Sequence, residues 1–371
     1  MRGLGRLAAL VVVAALGACA SKKGPGPTVL DELTPSIAGR QVWSQSLGTL
    51  KFPLAVVATG GNFIAATDDG SIVAYRADSG QEVWRGQAGG RLSAGVGSDG
   101  RFASVVTRDN QLVTLDAGKE IWRQQLPGRV STPPLVAGER VFVMGVDRVV
   151  QAFDALDGRK LWTFQRAGDA LTLAQPGVLA PFKDTLLAGQ GSKLAGLDPL
   201  RGTVRWEVSL ASPRGTNEIE RLADLVGPPA RVGDIVCARS FQASVACVNA
   251  DRGSLAWTRN IGGLQGIAAD EDVTVAADAS DRITAWRTAS GEVAWSLEKL
   301  LYRDLSAPLI VNKMVVFGDL EGYVHWLSTA DGTTKLRLPT DGSPVVGRPV
   351  LSGTTLLVIT RNGGLFAFRP E

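Results

Sequence analysis

Few side chains in this sequence have the types and spacing that chemistry requires. His325, in the stretch Gly-Tyr-Val-His-Trp-Leu, is the one histidine, so a metal site with several histidines is excluded and a nucleophile–histidine pair has a single candidate base. The alternating strand pattern around it favours packing or a structural hydrogen bond. No Gly-x-Ser-x-Gly, phosphate-binding loop, His-Glu-x-x-His or calcium-loop spacing occurs. The sequence therefore predicts no catalytic residue, no metal and no cofactor.

Two of the three cysteines could form a disulfide. Cys237 and Cys247 flank the short turn Ser-Phe-Gln-Ala-Ser. An oxidising compartment would permit a bond between the two adjacent strands. The bond needs both side chains on one face of the sheet, and a slip of one residue in the register would prevent it. The register stays open at this point, and the alternative is two buried free thiols.

The third cysteine stands at the end of a secretion signal. Arg2 and Arg6 precede an apolar stretch, residues 7–16, that is too short to remain as a membrane span. The small residues directly before Cys19 resemble a bacterial lipobox, which implies cleavage between Ala18 and Cys19 and acylation of Cys19. The alternative is an ordinary cleavable signal followed by an unrelated cysteine.

The lipobox interpretation divides the N-terminal part of the chain. Residues 1–18 are then the signal peptide, and residues 19–38, which include Lys-Lys-Gly-Pro-Gly-Pro, are a flexible lipid-anchored tether. Residue 20 is alanine, and the usual sorting pattern requires aspartate there for retention in the inner membrane. We therefore expect an outer-membrane location with the protein facing the periplasm. Lys and Arg are scattered at a net charge of +3, which leaves no basic stripe for nucleic acid.

The remaining residues, 39–371, repeat a pattern of about forty residues. Each repeat contains a short apolar run, a hairpin-like turn, a strand of alternating polarity, a second turn and a final strand. Several repeats begin with a further proline-rich segment upstream of the apolar run, such as Ser-Thr-Pro-Pro-Leu-Val at residues 131–136. The final strand carries a tryptophan in seven copies, and an eighth copy has Arg337 in that place. The seven are Trp43, Trp84, Trp122, Trp162, Trp206, Trp257 and Trp295.

Four short antiparallel strands in each repeat predict an all-β fold, an eight-bladed β-propeller. Residues 41–47 form a fourth strand with no third strand before it, and residues 364–371 form a third strand with no fourth strand after it. We therefore expect the N-terminal strand to complete the last blade and close the ring. The tryptophans are expected to pack each blade onto its neighbour and to find a partner for the indole N–H.

Two segments depart from the common repeat. Residues 214–229 lengthen one repeat and are expected to form an exposed loop, and residues 300–332 contain Gly-Asp-Leu-Glu-Gly-Tyr-Val-His-Trp. With the lipobox and the eight repeats, these segments resemble the BamB family, lipoproteins of the outer-membrane β-barrel assembly machinery. The resemblance implies a non-enzymatic periplasmic propeller that binds the POTRA domains of BamA and acts with other members of the Bam complex. It also implies help in the delivery and insertion of unfolded outer-membrane proteins.

The resemblance further implies which residues contact BamA. One group is a leucine pair in a Leu-x-Leu-Arg loop, where this chain has Ala174 in place of the arginine. The other group is the acidic end of the inserted loop, where a second acidic position is Val226. The partner-binding residues implied in this way are Leu171, Leu173, Glu220, Arg221 and Asp224. The pattern around the two leucines also fits strand residues that face the core of a blade.

The repeat also resembles that of the pyrroloquinoline-quinone dehydrogenases, which have eight blades. Those enzymes are usually longer, and many carry a vicinal cysteine pair above the cofactor and calcium-binding acids. This sequence has no vicinal cysteines. A quinone-cofactor dehydrogenase is therefore one alternative, and a periplasmic scaffold or sensor with another partner is a second, since a fold does not determine a function.

Overall fold

The computed structural model of the protein describes residues 25–48, 55–166, 171–212 and 215–370. The regular elements in these residues are β-strands, numbered β1 to β32 in chain order. They form eight separate four-stranded antiparallel sheets, each sheet a blade. The prediction of an eight-bladed β-propeller is confirmed.

The first four blades follow one another directly along the chain. Blade 1 contains β2 (Val57–Thr59), β3 (Asn62–Ala66), β4 (Ser71–Arg76) and β5 (Glu82–Gln87). Blade 2 contains β6 (Leu92–Ser98), β7 (Phe102–Thr107), β8 (Gln111–Asp116) and β9 (Lys119–Gln125). Blade 3 contains β10 (Leu135–Ala137), β11 (Arg140–Met144), β12 (Val150–Asp154) and β13 (Lys160–Phe164). Blade 4 contains β14 (Leu179–Phe182), β15 (Thr185–Gln190), β16 (Lys193–Leu197) and β17 (Val204–Ser209).

Blades 5 to 7 repeat this order, and blade 8 takes a strand from each end of the chain. Blade 5 contains β18 (Leu225–Val232), β19 (Ile235–Ser240), β20 (Ser244–Asn249) and β21 (Ser254–Arg259). Blade 6 contains β22 (Ala268–Ala269), β23 (Val273–Ala277), β24 (Ile283–Arg287) and β25 (Val293–Leu297). Blade 7 contains β26 (Leu309–Val311), β27 (Met314–Gly318), β28 (Tyr323–Ser328) and β29 (Thr334–Pro339). Blade 8 contains β30 (Val345–Ser352), β31 (Thr355–Thr360), β32 (Gly364–Pro370) and β1 (Gly39–Ser46).

Blade 8 closes the ring in the expected way. Strand β1 pairs antiparallel with β32, from Gly39 opposite Pro370 to Ser46 opposite Gly364. The two middle strands of each blade are almost wholly buried, whereas the fourth strands are mostly exposed or half-buried, with at most one fully buried residue each. The apolar side chains between neighbouring blades form the core, as expected for sheets packed face to face.

The tryptophans of the fourth strands join the blades. Trp122 of blade 2 lies against Gly158 in the turn of blade 3, and its Nε1 donates a hydrogen bond of 2.8 Å to the carbonyl of Ala155. Gly158 has a φ of +72°, and a Cβ there would lie 2.6 Å from the indole ring. All seven tryptophans lie against a glycine of the neighbouring blade. Five of them also donate from the indole N–H to a carbonyl of that blade: Trp43, Trp122, Trp162, Trp257 and Trp295. The glycines that meet them are Gly80, Gly118, Gly158, Gly202, Gly253, Gly291 and Gly332.

Blade 7 differs from the prediction by one residue. Leu336, not Arg337, takes the tryptophan's place, because Leu336 lies opposite Trp326 just as Trp295 lies opposite Ala285. A glycine stands four residues before each of the seven tryptophans, and Gly332 stands four residues before Leu336. The spacing from one tryptophan to the next varies from 38 to 51 residues, so it does not fix this position. Leu336 packs against Gly39 at the start of β1, so leucine fills the contact between blades 7 and 8.

The two cysteines of blade 5 lie on one face of the sheet. Cys237 of β19 and Cys247 of β20 are directly opposite in the register, with their Cα atoms 4.0 Å apart, and a disulfide joins their sulfurs. Both cysteines are buried beside Trp257 and Trp286. The register that the sequence left open is thus the one that permits the bond.

A segment before β1 lies against blades 6 and 7. We call residues 28–37 the strap. The backbone N–H and Oγ1 of Thr28 each donate a hydrogen bond of 3.0 Å to the carbonyl of Leu301, and the backbone N–H of Ser36 donates one of 2.9 Å to that of Lys335. Leu30 and Ile37 pack against the apolar clusters on either side of blade 7. The sequence predicts a flexible tether over residues 19–38, but from Thr28 onwards this part of the chain is in contact with the ring.

Buried charges hold the strap in place. Arg303 donates from Nη1 to the carbonyl of Thr28 at 2.7 Å and from Nε to Asp319 at 2.8 Å. His325 Nε2 lies 2.9 Å from the same carboxylate, and all three ionisable side chains are buried. Burial acts to raise the pKa of Asp319, but hydrogen bonds from His325, Tyr323 and Arg303 outweigh it and lower the pKa. Burial lowers the pKa of His325. His325 therefore has the structural hydrogen bond that its sequence context favours.

Candidate partner-binding surface

One face of the ring carries the longest connections. Strand direction alternates within a blade, so the turn between the second and third strands lies on the same face as the linker to the next blade. We call this the linker face. The turn between the third and fourth strands lies on the opposite face. The two longest linkers among the described parts of the chain precede blades 4 and 5, and both open on the linker face.

These linkers enclose a cavity of about 540 Å³. Its walls come from the turn between β11 and β12, the end of blade 3, the turn between β15 and β16, and the inserted loop before β18. The residues that line it are Asp147, Arg148, Gln165, Arg166, Leu171, Gln190, Gly191, Ser192, Lys193, Glu218, Arg221, Leu222, Ala223 and Asp224. Leu173 lines a small recess beside it, which also includes Asp224. Four of the five predicted contact residues therefore lie around one cleft.

We call residues 171–174, in the linker between β13 and β14, the leucine loop. It contains Leu171 and Leu173. They belong to no strand of the described residues, and both are half-buried. Neither belongs to the apolar clusters of blades 3, 4 and 5. Of the two interpretations that the sequence left open, the structure has the leucines at the cleft and not in the core of a blade.

The carboxylate of Asp224 accepts hydrogen bonds from other residues of this surface. Its Oδ1 accepts hydrogen bonds from Arg148 Nε at 2.9 Å and from Nη2 at 2.8 Å. Its Oδ2 accepts one of 3.1 Å from the backbone N–H of Leu173. Arg148 also donates from Nη2 to the carbonyl of Leu171 at 3.4 Å. Asp224 thus connects the inserted loop with blade 3 and with the leucine loop.

The other charged residues of the inserted loop are exposed. The backbone N–H and the hydroxyl of Thr216 donate to the carboxylate of Glu220, and these bonds hold the pKa of Glu220 below its usual value. Glu220 thereby shapes the turn and does not line the cleft. Arg221 lines the cleft, and within the described residues its side chain forms no ion pair. Arg221 is the one predicted charged residue that is free to meet a partner.

The exposed loop of the inserted segment ends earlier than the sequence predicts. Residues 215–224 form turns, but the second half, from Leu225, is the first strand of blade 5. Val226 is 2% exposed and pairs in a bridge with Gly177. An acidic residue at that position would point into the protein, so its absence here removes no surface charge. Ala174, in the place of the expected arginine, is exposed.

Arg148 is the residue of this surface that sequence reasoning missed. It stands in the turn between β11 and β12 with a φ of +64°, and its carbonyl accepts a hydrogen bond of 3.1 Å from Gln190 Nε2. Nothing local distinguishes the stretch Val-Asp-Arg-Val from other blade turns. Its partner, Asp224, is 76 residues away, so a contact of this kind leaves no trace in the local pattern.

Lys193 and Arg166 form the opposite wall of the cleft. Both pair with Glu207, Lys193 at 2.7 Å. The two cations share one carboxylate, but the lining also contains three acidic side chains and two further arginines, so with Glu207 the positive and negative groups around the cleft are equal in number. No group of three or more metal-binding side chains occurs among the described residues.

Ala18 and Cys19, the predicted cleavage and lipidation residues, lie outside the described residues. The described part of the chain contains no helix that could span a membrane.

Comparison with known proteins identifies the class. The model of a family described as outer membrane protein assembly factor BamB matches residues 31–94 and 68–297. With the eight-bladed ring and its linker cleft, this match defines a β-propeller assembly factor rather than an enzyme.

Individual relatives support this assignment along the whole chain. The outer membrane protein assembly factor BamB of Burkholderia pseudomallei is 36% identical over 381 residues, which cover all of both chains. That of Bordetella pertussis is 34% identical over 93% of this chain and 90% of its own. The crystal structure of BamB from Moraxella catarrhalis has a TM-score of 0.80 at 22% identity, over 90% of this chain and 100% of that one. This chain belongs to the BamB family, whose role is outer-membrane protein assembly.

Proposed function

We propose that this protein is a lipid-anchored periplasmic scaffold of the outer-membrane β-barrel assembly complex. In this role it binds the POTRA domains of BamA, acts beside other Bam-complex members, and assists the delivery and insertion of barrel proteins. The closed ring is a rigid frame, and the loops on such a frame are where binding residues usually lie. The linker face between blades 3 and 5 is the proposed contact surface.

The leucine loop is the observation that carries this proposal. Leu171 and Leu173 are half-exposed outside any described strand, at the rim of a cleft that the inserted loop completes. Apolar side chains held at the centre of a contact surface and surrounded by polar groups are typical of residues that dominate binding. Arg221 and the exposed end of the inserted loop form the polar rim.

Changing Leu173 to Arg is expected to weaken binding to purified BamA POTRA domains by at least about 30-fold, because loss of a central apolar anchor costs about 2 kcal/mol or more. The dissociation constant can be measured by isothermal titration. In cells, the same variant should lower the amount of folded barrel proteins in the outer membrane.

Leu200→Arg is the matched control. Leu200 is also an exposed leucine, 61% exposed, and lies in the turn between β16 and β17 on the opposite face. The Leu200→Arg variant should bind POTRA domains as tightly as the unaltered protein does. Equal affinity of the unaltered protein and the folded Leu173→Arg variant would remove the leucine loop from the contact surface.

The lipid anchor is tested separately. Cys19→Ser should abolish incorporation of labelled palmitate and move the protein from the membrane fraction to the soluble periplasm, because the thiol is the acylated group and several acyl chains make a firm anchor. Ser21→Ala, two residues further on, should keep both the label and the membrane location. Retained palmitate in the Cys19→Ser protein would contradict the proposal.

A pull-down of the tagged protein from detergent-solubilised envelopes distinguishes the scaffold proposal from the alternative of a periplasmic propeller with another partner. Recovery of BamA in near-equal amount supports the scaffold proposal. Recovery of a different partner in its place would favour a periplasmic propeller that scaffolds or senses something else.

A further inference from the structure

We infer that Arg148 is a positioning residue for the partner-binding surface: with Asp224 it holds the leucine loop from inside the protein, so the partner meets leucine side chains and not the Asp224 carboxylate. This inference rests on the proposed function and deepens it. It identifies the contact of this chain with BamA as mainly apolar. It also gives Asp224 a role different from the one that the family resemblance implies.

We call the hydrogen-bonded pair of Arg148 and Asp224 the clamp. Two nitrogens of the Arg148 guanidinium bind one oxygen of Asp224, at 2.9 and 2.8 Å, and the backbone N–H of Leu173 binds the other oxygen at 3.1 Å. Both carboxylate oxygens are therefore occupied by groups of this chain. A partner that used Asp224 would have to displace charge-assisted hydrogen bonds, which are the strong ones.

Both charged groups are largely removed from solvent. The exposed fractions of the side chains are 17% for Arg148 and 13% for Asp224. Exposed ion pairs contribute little, but removal of one partner of a pair that is mostly buried leaves the other charge poorly solvated. The clamp is therefore more than an incidental surface contact.

Arg148 is itself fixed at its backbone. Its N–H donates a hydrogen bond of 2.9 Å to the carbonyl of Gly145, and its carbonyl accepts the bond from Gln190 of blade 4. The guanidinium is thus presented from a turn of blade 3 that is hydrogen-bonded to blade 4. The leucine loop, in contrast, has no strand pairing at residues 171–174.

The hydrogen bonds that the structure shows for the leucines both run to this clamp. Leu171 accepts from Arg148 through its carbonyl, and Leu173 donates to Asp224 through its N–H. Without them this stretch would have to be ordered when the partner binds. Ordering a loop on binding reduces affinity, and a loop held in advance avoids that loss.

The positions that differ from the family pattern agree with an apolar contact. Ala174 brings no charge, and Val226 is buried in strand β18. With Asp224 engaged internally, the leucines are the accessible groups at the centre of the surface. Binding should therefore depend only weakly on ionic strength, since contacts between exposed charges are the ones that salt screens.

Titration of purified BamA POTRA domains against the full mature chain tests the inference. Arg148→Met keeps the length of the aliphatic stem but removes the clamp, and it should weaken binding by about 10-fold or more. Arg148→Lys, which keeps the charge, should recover part of the affinity. Raising the salt concentration from 50 to 500 mM, round values chosen to span roughly a threefold change in screening length, should change the affinity of the unaltered protein by less than about threefold.

Arg108→Met is the matched control. Arg108 of blade 2 binds Asp68 of blade 1 at 2.6 Å on the same face of the ring, far from the leucine loop. This variant should bind POTRA domains normally. Hydrogen exchange provides the readout that a general loss of stability would not produce. The amide of Leu173 should exchange faster in Arg148→Met, while amides of blades 1, 6 and 7 should keep their protection.

Two results would overturn the inference. One is Arg148→Met with unchanged affinity, and the other is unchanged exchange at Leu173 in that variant. If Arg148→Met unfolds, Asp224→Asn, which keeps the shape but removes the charge, replaces it under the same criteria. If the unaltered protein itself fails to bind POTRA domains, the proposed function fails, and exchange at Leu173 still decides whether Arg148 holds the loop.

Discussion

Replacing Arg303 by methionine is expected to lower the free energy of unfolding by about 3–5 kcal/mol. The reason is that Asp319 would keep its buried carboxylate without the guanidinium that compensates it, and removal of one partner of a buried ion pair has an effect of this size. Of the side chains bonded to the carboxylate only His325 would remain, beside the backbone N–H groups of Glu321 and Tyr323. Burial lowers the pKa of His325, so it is a poor cation. The strap would also lose the bond from Arg303 to Thr28.

Chemical denaturation followed by tryptophan fluorescence measures this effect, provided that the transition remains two-state. Lys299→Met is the matched control, because Lys299 pairs with Asp31 of the same strap in full contact with solvent. An exposed pair of that kind contributes about 0–1 kcal/mol. Similar stabilities for the Arg303 and Lys299 variants would show that the buried network does not stabilise this part of the ring.

Trp122→Ala is expected to destabilise the protein by about 3–5 kcal/mol, the range for large aromatic side chains removed from a core. The ring covers Gly158 of the next blade and the indole N–H bonds the carbonyl of Ala155, so the substitution would leave both a cavity and an unpaired carbonyl. Because the blades are joined in a closed ring, the weakened contact should lower the midpoint of the whole transition.

Ile121→Ala is the control for this variant. Ile121 is the preceding residue on the same strand, and it is 39% exposed, whereas Trp122 is 8% exposed. Its replacement should change the free energy of unfolding by less than about 1 kcal/mol. A Trp122→Ala protein as stable as Ile121→Ala would mean that the repeated tryptophans do not hold the blades together.

The ring was predictable because its signals are local and repeated. The alternating strands and the turn glycines recur along the chain, the tryptophan occurs in seven of the eight copies, and the unmatched strands at the two ends indicate how the ring closes. Leu336 shows the limit of such counting. Its strand pairing and its distance of four residues from Gly332 match those of the tryptophans, whereas counting between repeats, whose spacing varies, leads to Arg337.

The surface was predictable only in outline. The family resemblance implied residues of two loops, and the structure has four of these five residues around one cleft. It could not show that Asp224 is bound internally, because the answer lies in Arg148, on another blade. The contact of the strap with Arg303 was hidden for the same reason, since Thr28 and Arg303 are 275 residues apart.

The completion of blade 8 by β1 has a consequence for how the protein acquires its fold. The strand that is synthesised first among the thirty-two pairs with the one synthesised last. Until β32 arrives, β1 has no partner and blade 8 consists of β30 and β31 alone, with an open edge on β31. An open edge of this kind pairs with other chains. Folds dominated by pairings distant in sequence form slowly. We therefore expect the nascent propeller to pass through an open, C-shaped intermediate, during which it needs the protection from aggregation that unfolded barrel proteins also need.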